Sequence, residues 1–194
     1  MGRLRVVNNV TVDGVMQAPG RPDEDPRGGF EHGGWALPYN DSVTGRVLGE
    51  RMAAHTGALL LGRRTYEDFA GYWPHQQANP FTEMLTKTTK YVVSRTLTEP
   101  LPWDNSVLVS GDAADAVSRL KEQQDLVVLG SGRLLGSLIR HDLVDEYLLL
   151  IHPLILGSGT RLFGDDAAFA QLRLIDSVRS STGVVLATYE RPQS

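Results

Sequence analysis

Short apolar runs alternate along the chain with stretches in which apolar positions recur every three or four residues. The runs are bounded by glycine, proline or polar residues, and such runs are typical of buried β-strands. They predict strands at 4–10, 58–61, 90–93, 106–109 and 126–129.

The stretches between these runs have the spacing of amphipathic helices. Asp41 and Asp112 precede two of them and are residues of the type that caps a helix N-terminus. We expect further helices to open at Arg64 or Thr65, to lie around 82–86, and to run through 134–139.

The pattern changes towards the C-terminus. Residues 144–151, 171–178 and 183–190 read as strands with no helix between them, which favours antiparallel pairing. Alternating strands and helices followed by strands alone indicate an α/β fold, with a mostly parallel central sheet flanked by helices and antiparallel C-terminal strands. Since no repeat or linker is visible, we expect a single domain spanning 1–194.

Two strand-to-helix junctions share one design. In each, an apolar run stops at a glycine, Gly62 or Gly130, and a helical pattern begins within a few residues. Glycine lets another group approach the backbone closely, and the first amides of a helix have no partners within the helix. Those amides and the positive end of the helix dipole form a site for phosphate. Two such junctions in one small domain suggest a ligand with a diphosphate, either a dinucleotide or a nucleotide.

The second junction does not have the Rossmann fingerprint. In the run from Gly130 through Gly132 to Gly136 the third glycine comes one residue late, and no acidic residue is placed to bind a ribose. A standard NAD-binding Rossmann domain is therefore not expected. The alternative for each glycine-rich segment is a simple turn.

Donors for an additional phosphate cluster at the predicted strand ends. Gly62, Ser94 and Gly130 all fall at the carboxyl ends of predicted strands, where open α/β sheets bind ligands. The hydroxyl and guanidinium donors beside them are Ser94, Arg95, Arg63 and Arg64. This composition favours NADPH over NADH, because guanidinium matches phosphate geometry. The alternative is a set of solvated arginines.

The composition of the chain mainly excludes some kinds of partner and binding site. The formal net charge is −4 without a basic stripe, which argues against nucleic acid as a partner. The chain has no cysteine, and its five histidines lack metal-binding spacing, so we expect no metal site. There is no apolar signal segment at the start and no run near the ~18 apolar residues of a membrane span. We expect a cytoplasmic protein with no membrane partner.

A long stretch rich in Gly, Pro and Asp covers residues 14–40. A loop of this length inside a compact domain is usually functional or disordered. Trp35 and Tyr39 favour a functional loop. The alternative is that Trp35 only fixes the loop to the core.

The order of these motifs resembles that of a known family. The segment from Gly62 to Glu67 looks like the dihydrofolate reductase motif that meets the NADPH diphosphate. The tail from Leu143 through His152 to Phe163, and the Thr11-Val12-Asp13-Gly14 turn, are more specific. They resemble the C-terminal reductase domain of riboflavin biosynthesis and the small bacterial dihydrofolate reductase-like proteins related to it. We therefore expect the dihydrofolate reductase-like fold.

The resemblance implies an NADPH-dependent reductase that transfers a hydride to a small heterocycle of the riboflavin pathway. It also implies a homodimer built on the C-terminal strands, and an unusual cis peptide bond, here between Gly130 and Ser131. The predicted cofactor-binding residues are Gly62, Arg63, Arg64, Thr65, Ser94, Arg95, Gly130, Ser131, Gly132, Arg133 and Leu134.

On the substrate side we expect Asp13, Trp35, Asp41 and Tyr66, with Asp13 as the catalytic residue that orients a polar substrate or relays a proton through water. Because Asp-Gly is a standard turn signal, a structural Asp13 is the alternative. Strand 148–151 lacks the threonine with which dihydrofolate reductases hold the pterin, which puts folate reduction in doubt. Dihydrofolate reductase proper and a non-catalytic NADP(H)-binding protein are the rival functions.

Overall fold

The computed structural model describes residues 1–54, 57–164 and 167–192. Eight strands form one sheet in the order β4-β3-β2-β5-β1-β6-β8-β7. Their bounds are β1 (Leu4–Thr11), β2 (Ala58–Gly62), β3 (Lys90–Val93), β4 (Ser106–Val109), β5 (Leu126–Leu129), β6 (Glu146–His152), β7 (Arg173–Arg179) and β8 (Val185–Glu190).

Five α-helices connect these strands in the described part of the chain. They are α1 (Ser42–Ala53), α2 (Arg63–Tyr72), α3 (Pro80–Lys87), α4 (Ala113–Gln123) and α5 (Gly132–Arg140). Short 3-10 turns lie at Arg27–Gly29, Leu37–Tyr39 and Trp73–His75. Among the described residues, none of the helices has the length and apolar character needed to cross a lipid bilayer.

The predicted fold class is confirmed. Strand β1 pairs in parallel with β5 and β6, and β2 pairs in parallel with β3 and β5. Strand β8 is antiparallel to both β6 and β7. The three C-terminal strands each begin two residues later than the pattern predicts, because buried Val144 and Val184 extend the apolar pattern beyond the strand ladders.

Helices cover both faces of the sheet, so the central strands are buried on two sides. Leu60 packs in the main core with Leu135 and Leu138 of α5, whereas Leu59 and Leu61 pack on the opposite face. This two-sided burial explains why β2 reads as an unbroken apolar run, since successive strand residues point to opposite faces.

The long loop of residues 14–40 is packed onto the protein. Val15, Phe30 and Trp35 form a small core of their own with Leu154 and Leu156, which follow β6. The loop therefore occupies a defined place beside the carboxyl ends of β1 and β6.

Candidate active site

The two glycine junctions lie side by side at one edge of the sheet. Strands β2 and β5 are parallel neighbours, so their carboxyl ends, and the starts of α2 and α5, meet at the same edge. Strand β1 ends there as well, followed by the loop 14–40. This is the edge at which open α/β sheets place ligands.

Ser131 and Thr65 join the two junctions by hydrogen bonds. The Gly62 N–H donates to Ser131 Oγ at 2.9 Å, and the Ser131 N–H donates to Thr65 Oγ1 at 3.1 Å. The Ser131 hydroxyl also donates to Thr65 Oγ1 at 3.0 Å. These three bonds fix the first turns of α2 and α5 relative to each other.

The implied cis peptide bond between Gly130 and Ser131 is wrong for this structure. Both residues instead have positive φ, +63° and +62°, and the bond between them is not among the cis bonds of the described residues. Two consecutive left-handed residues turn the chain from β5 into α5. The Gly130 N–H donates to Asn8 Oδ1 at 2.8 Å, which ties this turn to β1.

The helix starts at these junctions lack side-chain caps, unlike the other helices of the described chain. Asp41, Asn79 and Asp112 accept hydrogen bonds from first-turn amides of α1, α3 and α4. Helices α2 and α5 follow Gly62 and Ser131, and neither has a side-chain cap. Their amides and dipoles therefore remain available to an anion.

Arginines surround this pair of helix starts. The exposed ones are Arg63, Arg64, Arg95 and Arg133, and none of them pairs with a carboxylate within the described residues. Arg63 Nη1 donates to Thr96 Oγ1 at 3.2 Å, which links α2 to the turn after β3. Unpaired guanidinium groups beside free amides make an edge suited to phosphate.

The side chains of Ser94 and Leu134 have contacts within the protein. Ser94 is 8% exposed, and its Oγ accepts hydrogen bonds from the amides of Thr96 and Leu97 at 3.1 and 3.0 Å, so it shapes the turn that carries Arg95. The Leu134 side chain packs in the main core. Its backbone amide belongs to the first turn of α5.

Gly132 lets the long loop approach the start of α5. A Cβ at this position would lie 2.9 Å from Met16 Sδ, which is closer than real Cβ contacts. A glycine here therefore allows residues of the loop 14–40 to reach the second junction.

A cleft of about 510 Å³ opens beside the first junction. One wall is the loop segment Arg27–Phe30, the opposite wall is Ser158–Thr160, and Gln17 and Arg64 complete the lining. The volume falls in the usual range for a small-molecule site. Because Arg64 belongs to the first turn of α2, the cleft adjoins the helix starts.

The predicted catalytic residue Asp13 has the contacts of a turn residue. Its carboxylate accepts hydrogen bonds from the Thr11 hydroxyl at 2.6 Å, and from the amides of Gly157 and Leu156 at 2.9 and 3.2 Å. These donors, the Thr11 hydroxyl foremost, lower the pKa of Asp13 to about 2. The carboxylate is thus ionised at neutral pH and holds the β1 turn against the segment after β6, and its predicted catalytic role remains a prediction.

Trp35 and Tyr66 do not line the cleft. Trp35 is 7% exposed, donates from Nε1 to Gln17 O at 2.7 Å, and packs edge-on against His152. These contacts hold the loop against the small core. Tyr66 is 1% exposed beneath α2, and its hydroxyl accepts a hydrogen bond from the Trp103 amide. Both side chains are buried in this structure, and their predicted contacts with the substrate remain predictions.

Asp41 is also outside the cleft. One carboxylate oxygen caps α1 by accepting from the Thr44 amide, and the other accepts from the amide and hydroxyl of Ser181, each at 2.7 Å. These hydrogen bonds, with the Thr44 amide first, lower the pKa of Asp41. Asp41 thereby ties α1 to the turn that joins β7 and β8, and its predicted substrate contact remains a prediction.

Several cleft residues were not singled out by the sequence analysis. Gln17, Arg27 and Phe30 lie in the loop 14–40, whose length and composition marked it as a whole without distinguishing single positions. Ser158 and Thr160 belong to the tail motif, where they had no assigned role. The spacing of the loop residues carries no signal, because only the folded loop brings them together.

The chain is similar to proteins of known families over nearly its whole length. The family model described as the RibD C-terminal domain matches residues 3–186. The protein YyaP of Bacillus subtilis (strain 168) is 32% identical over 139 residues, covering 68% of this chain and 72% of that protein. YwjB of the same organism is 25% identical over 118 residues, covering 60% and 63%. Both relatives are described as uncharacterized.

Solved structures agree on the fold. A protein from Shewanella sp. PV-4, named for riboflavin biosynthesis, superposes with a TM-score of 0.70 at 20% identity, covering 98% of this chain and 99% of that one. A pyrimidine reductase-like protein from Corynebacterium diphtheriae gives 0.66 at 14%, covering 100% and 93%. Dihydrofolate reductase from Enterococcus faecalis, complexed with NADP(H), gives 0.61 at 13%, covering 99% and 98%. The fold is therefore dihydrofolate reductase-like.

Proposed function

This chain belongs to the RibD C-terminal domain family, and we propose that it is an NADPH-dependent reductase that transfers a hydride to a small heterocycle. The substrate would be of the riboflavin-pathway type, similar to 5-amino-6-(5-phosphoribosylamino)uracil. The observation that carries this proposal is the pair of uncapped helix starts, joined through Ser131 and Thr65, beside a cleft of about 510 Å³.

The diphosphate of NADPH would bind at the two helix starts. The amides that follow Gly62 and Ser131 would donate to its oxygens, and the Arg133 guanidinium would balance its charge. The donor set fits the group, because the two uncapped helix starts and the nearby arginines offer donors, and no carboxylate of the described residues pairs with those arginines. When bound, the nicotinamide supplies the hydride, and the protein aligns it with the acceptor and excludes water.

Arg95 and Arg63 would hold the additional phosphate that distinguishes NADPH from NADH. Both are exposed at the carboxyl ends of β3 and β2, neighbouring strands, and the Arg63–Thr96 hydrogen bond places them on the same side of the junction. Arginine binds a phosphate dianion through two parallel hydrogen bonds. NADH has no phosphate at this position and cannot accept them.

The substrate would occupy the cleft. Arg64 has no ion-pair partner within the described residues, and it lines the cleft together with Ser158, which carries a hydroxyl group. Guanidinium and hydroxyl donors suit a phosphorylated sugar substituent better than a folate tail. Asp13, which accepts from the Gly157 amide, would position the wall that begins at the next residue, Ser158.

Binding of cofactor is tested by fluorescence titration with NADPH and NADH, which follows energy transfer from Trp35, Trp73 and Trp103. We expect a clear preference for NADPH. Arg95→Gln should weaken NADPH binding by roughly ten- to a hundredfold and leave NADH binding unchanged, because a charge-assisted hydrogen bond contributes about 1.5–3 kcal/mol. Arg119→Gln removes the same charge from an exposed position on α4 and serves as the matched control.

Turnover separates the proposed function from its rivals. Oxidation of NADPH with the phosphoribosylaminopyrimidine would support the proposal, and oxidation with dihydrofolate that antifolates inhibit would instead indicate a dihydrofolate reductase. NADPH binding without oxidation by either compound would identify a non-catalytic binding protein. Binding of neither NADPH nor NADH would refute the cofactor assignment altogether.

We further propose a cytoplasmic homodimer formed through β7. This strand lies at the end of the sheet, and its apolar residues Leu174 and Ile175 are 52% and 44% exposed. An exposed edge strand with apolar side chains is a surface that pairing with a second copy would bury. Sedimentation of the wild-type chain should give a dimer and Leu174→Glu a monomer, whereas a wild-type monomer at micromolar concentration would contradict the assignment.

A further inference from the structure

Gln17 lies between the two walls of the cleft. It follows the short bridge between Val15 and Arg161, and it is 6% exposed although it contributes to the cleft lining. A buried amide side chain is retained only where its donors and acceptors are satisfied.

The Gln17 amide makes four hydrogen bonds, two to each wall. Nε2 donates to the carbonyl oxygens of Asp25 and Arg27, both at 3.0 Å. Oε1 accepts from the amide and the hydroxyl of Thr160, at 2.8 and 3.1 Å. Carbonyl oxygens can only accept and an amide N–H can only donate, so these partners fix the orientation of the Gln17 amide group.

The backbone of Gln17 is held as well. Its carbonyl accepts the hydrogen bond from Trp35 Nε1, at the centre of the small core beneath the loop. The walls also touch directly. Gly159 packs so closely against Phe30 that a Cβ added at Gly159 would lie 2.6 Å from the Phe30 ring. The two walls are therefore joined at their base by Gln17 and by ring packing beside it.

We propose that Gln17 is a positioning residue that fixes the spacing between the two walls of the cleft and thereby sets which substrates fit. This inference rests on the proposed function, in which the cleft receives the heterocyclic substrate. No hydrogen bond joins the Gln17 side chain to the described residues of the helix starts, so its effect falls on the substrate and not on NADPH.

Two substitutions at Gln17 remove different sets of its hydrogen bonds to the walls. Gln17→Glu keeps the acceptor for Thr160 but turns a carboxylate oxygen towards the carbonyls of Asp25 and Arg27, which repels that wall. Gln17→Met keeps the length of the side chain and removes all four bonds. Gln124→Met is the control, since Gln124 donates a hydrogen bond to the Tyr91 hydroxyl outside the cleft lining.

The absence of cysteine from the chain allows the wall spacing to be measured directly. Spin labels at Glu31→Cys and Ser158→Cys, one on each side of the cleft, report the distance distribution by electron paramagnetic resonance. We expect Gln17→Glu and Gln17→Met to broaden this distribution and Gln124→Met to leave it unchanged. An unchanged distribution in both Gln17 variants would overturn the proposal.

Kinetics then test the effect on substrate. With the phosphoribosylaminopyrimidine as probe, Gln17→Glu should raise KM about tenfold, in keeping with the loss of two hydrogen bonds. Gln17→Met, which loses all four, should raise KM at least as much, while the Kd for NADPH stays at the wild-type value in both variants. A Gln17 variant that changes the Kd for NADPH as much as KM would refute a role specific to the substrate. If the wild-type chain neither binds NADPH nor reduces the probe, the proposed function fails, and the spin-label distances still decide the wall spacing.

Discussion

His152 at the end of β6 should make the stability of the protein depend on pH. Its ring is 2% exposed and lies edge-on to Trp35 and Tyr39, with centroid distances of 5.1 and 5.6 Å. Nε2 lies 2.9 Å from Asn9 Oδ1, whereas Nδ1 has no hydrogen-bond partner among the described residues. A proton on Nδ1 would therefore place a charge where nothing compensates it.

Burial lowers the pKa of His152 from its ordinary value of 6.5 to about 4. The unfolded chain therefore takes up this proton at a higher pH than the folded protein does. The contribution of neutral His152 to stability is fully present above pH 6.5 and is lost progressively as the pH falls towards 4. Linkage gives a loss of about 2 kcal/mol at pH 5 and about 3 kcal/mol once the pH reaches 4.

The assay is denaturant unfolding at pH 7.5 and pH 5 for the wild type, His152→Gln and His75→Gln. Glutamine retains a donor for Asn9 and does not titrate, so His152→Gln should lose about 2 kcal/mol less than the wild type between the two pH values. His75, which is exposed, supplies the control for replacing a histidine. Equal losses in the wild type and His152→Gln, or a ring titrating near pH 6.5 by NMR, would refute the reasoning.

Further substitutions test the packing and the junctions. Lys90→Met should lower the free energy of unfolding by about 3 kcal/mol, because the buried Lys90 Nζ donates to three backbone carbonyls at the end of α3. Calorimetry measures this loss, and a loss near zero would contradict the prediction. Arg5→Met should cost about 3 kcal/mol by leaving buried Glu146 without its closest partner, and adding Glu146→Leu should recover most of that loss in denaturant unfolding. Ser131→Ala should weaken NADPH binding several-fold by releasing the two helix starts, and an unchanged Kd in the same titration would argue against that role.

The strands and the fold class follow from the sequence because each depends on local pattern. The run 58–61 is continuous in apolar residues because β2 is buried on both faces, and two-sided burial is a property that a sequence displays directly. The two glycine junctions are equally local, since each needs only a strand end, a glycine and a helix start. Their adjacency follows from the order of the strands in the sheet, to which the family resemblance adds support.

The functions of the polar residues were harder to predict. Asp13, Asp41 and Tyr66 have the residue types of a substrate site, yet their side-chain oxygens are occupied by a turn, by a helix cap with a second turn, and by the Trp103 amide. A sequence records that a carboxylate is present but not which donors surround it. Some of those donors, the Gly157 amide for Asp13 and the Ser181 amide for Asp41, come from segments more than 100 residues away.

By itself, the sequence determined the succession of strands and helices, the parallel sheet with its antiparallel C-terminal strands, and the two glycine-ended junctions. Periodic burial and backbone freedom at glycine act over a few residues, so they leave a readable pattern. Only the tertiary structure decided that Gln17 joins Arg27 to Thr160, and that Trp35 packs against His152. Such contacts depend on the path of the loop 14–40 across the sheet edge, which long-range packing fixes and local pattern does not.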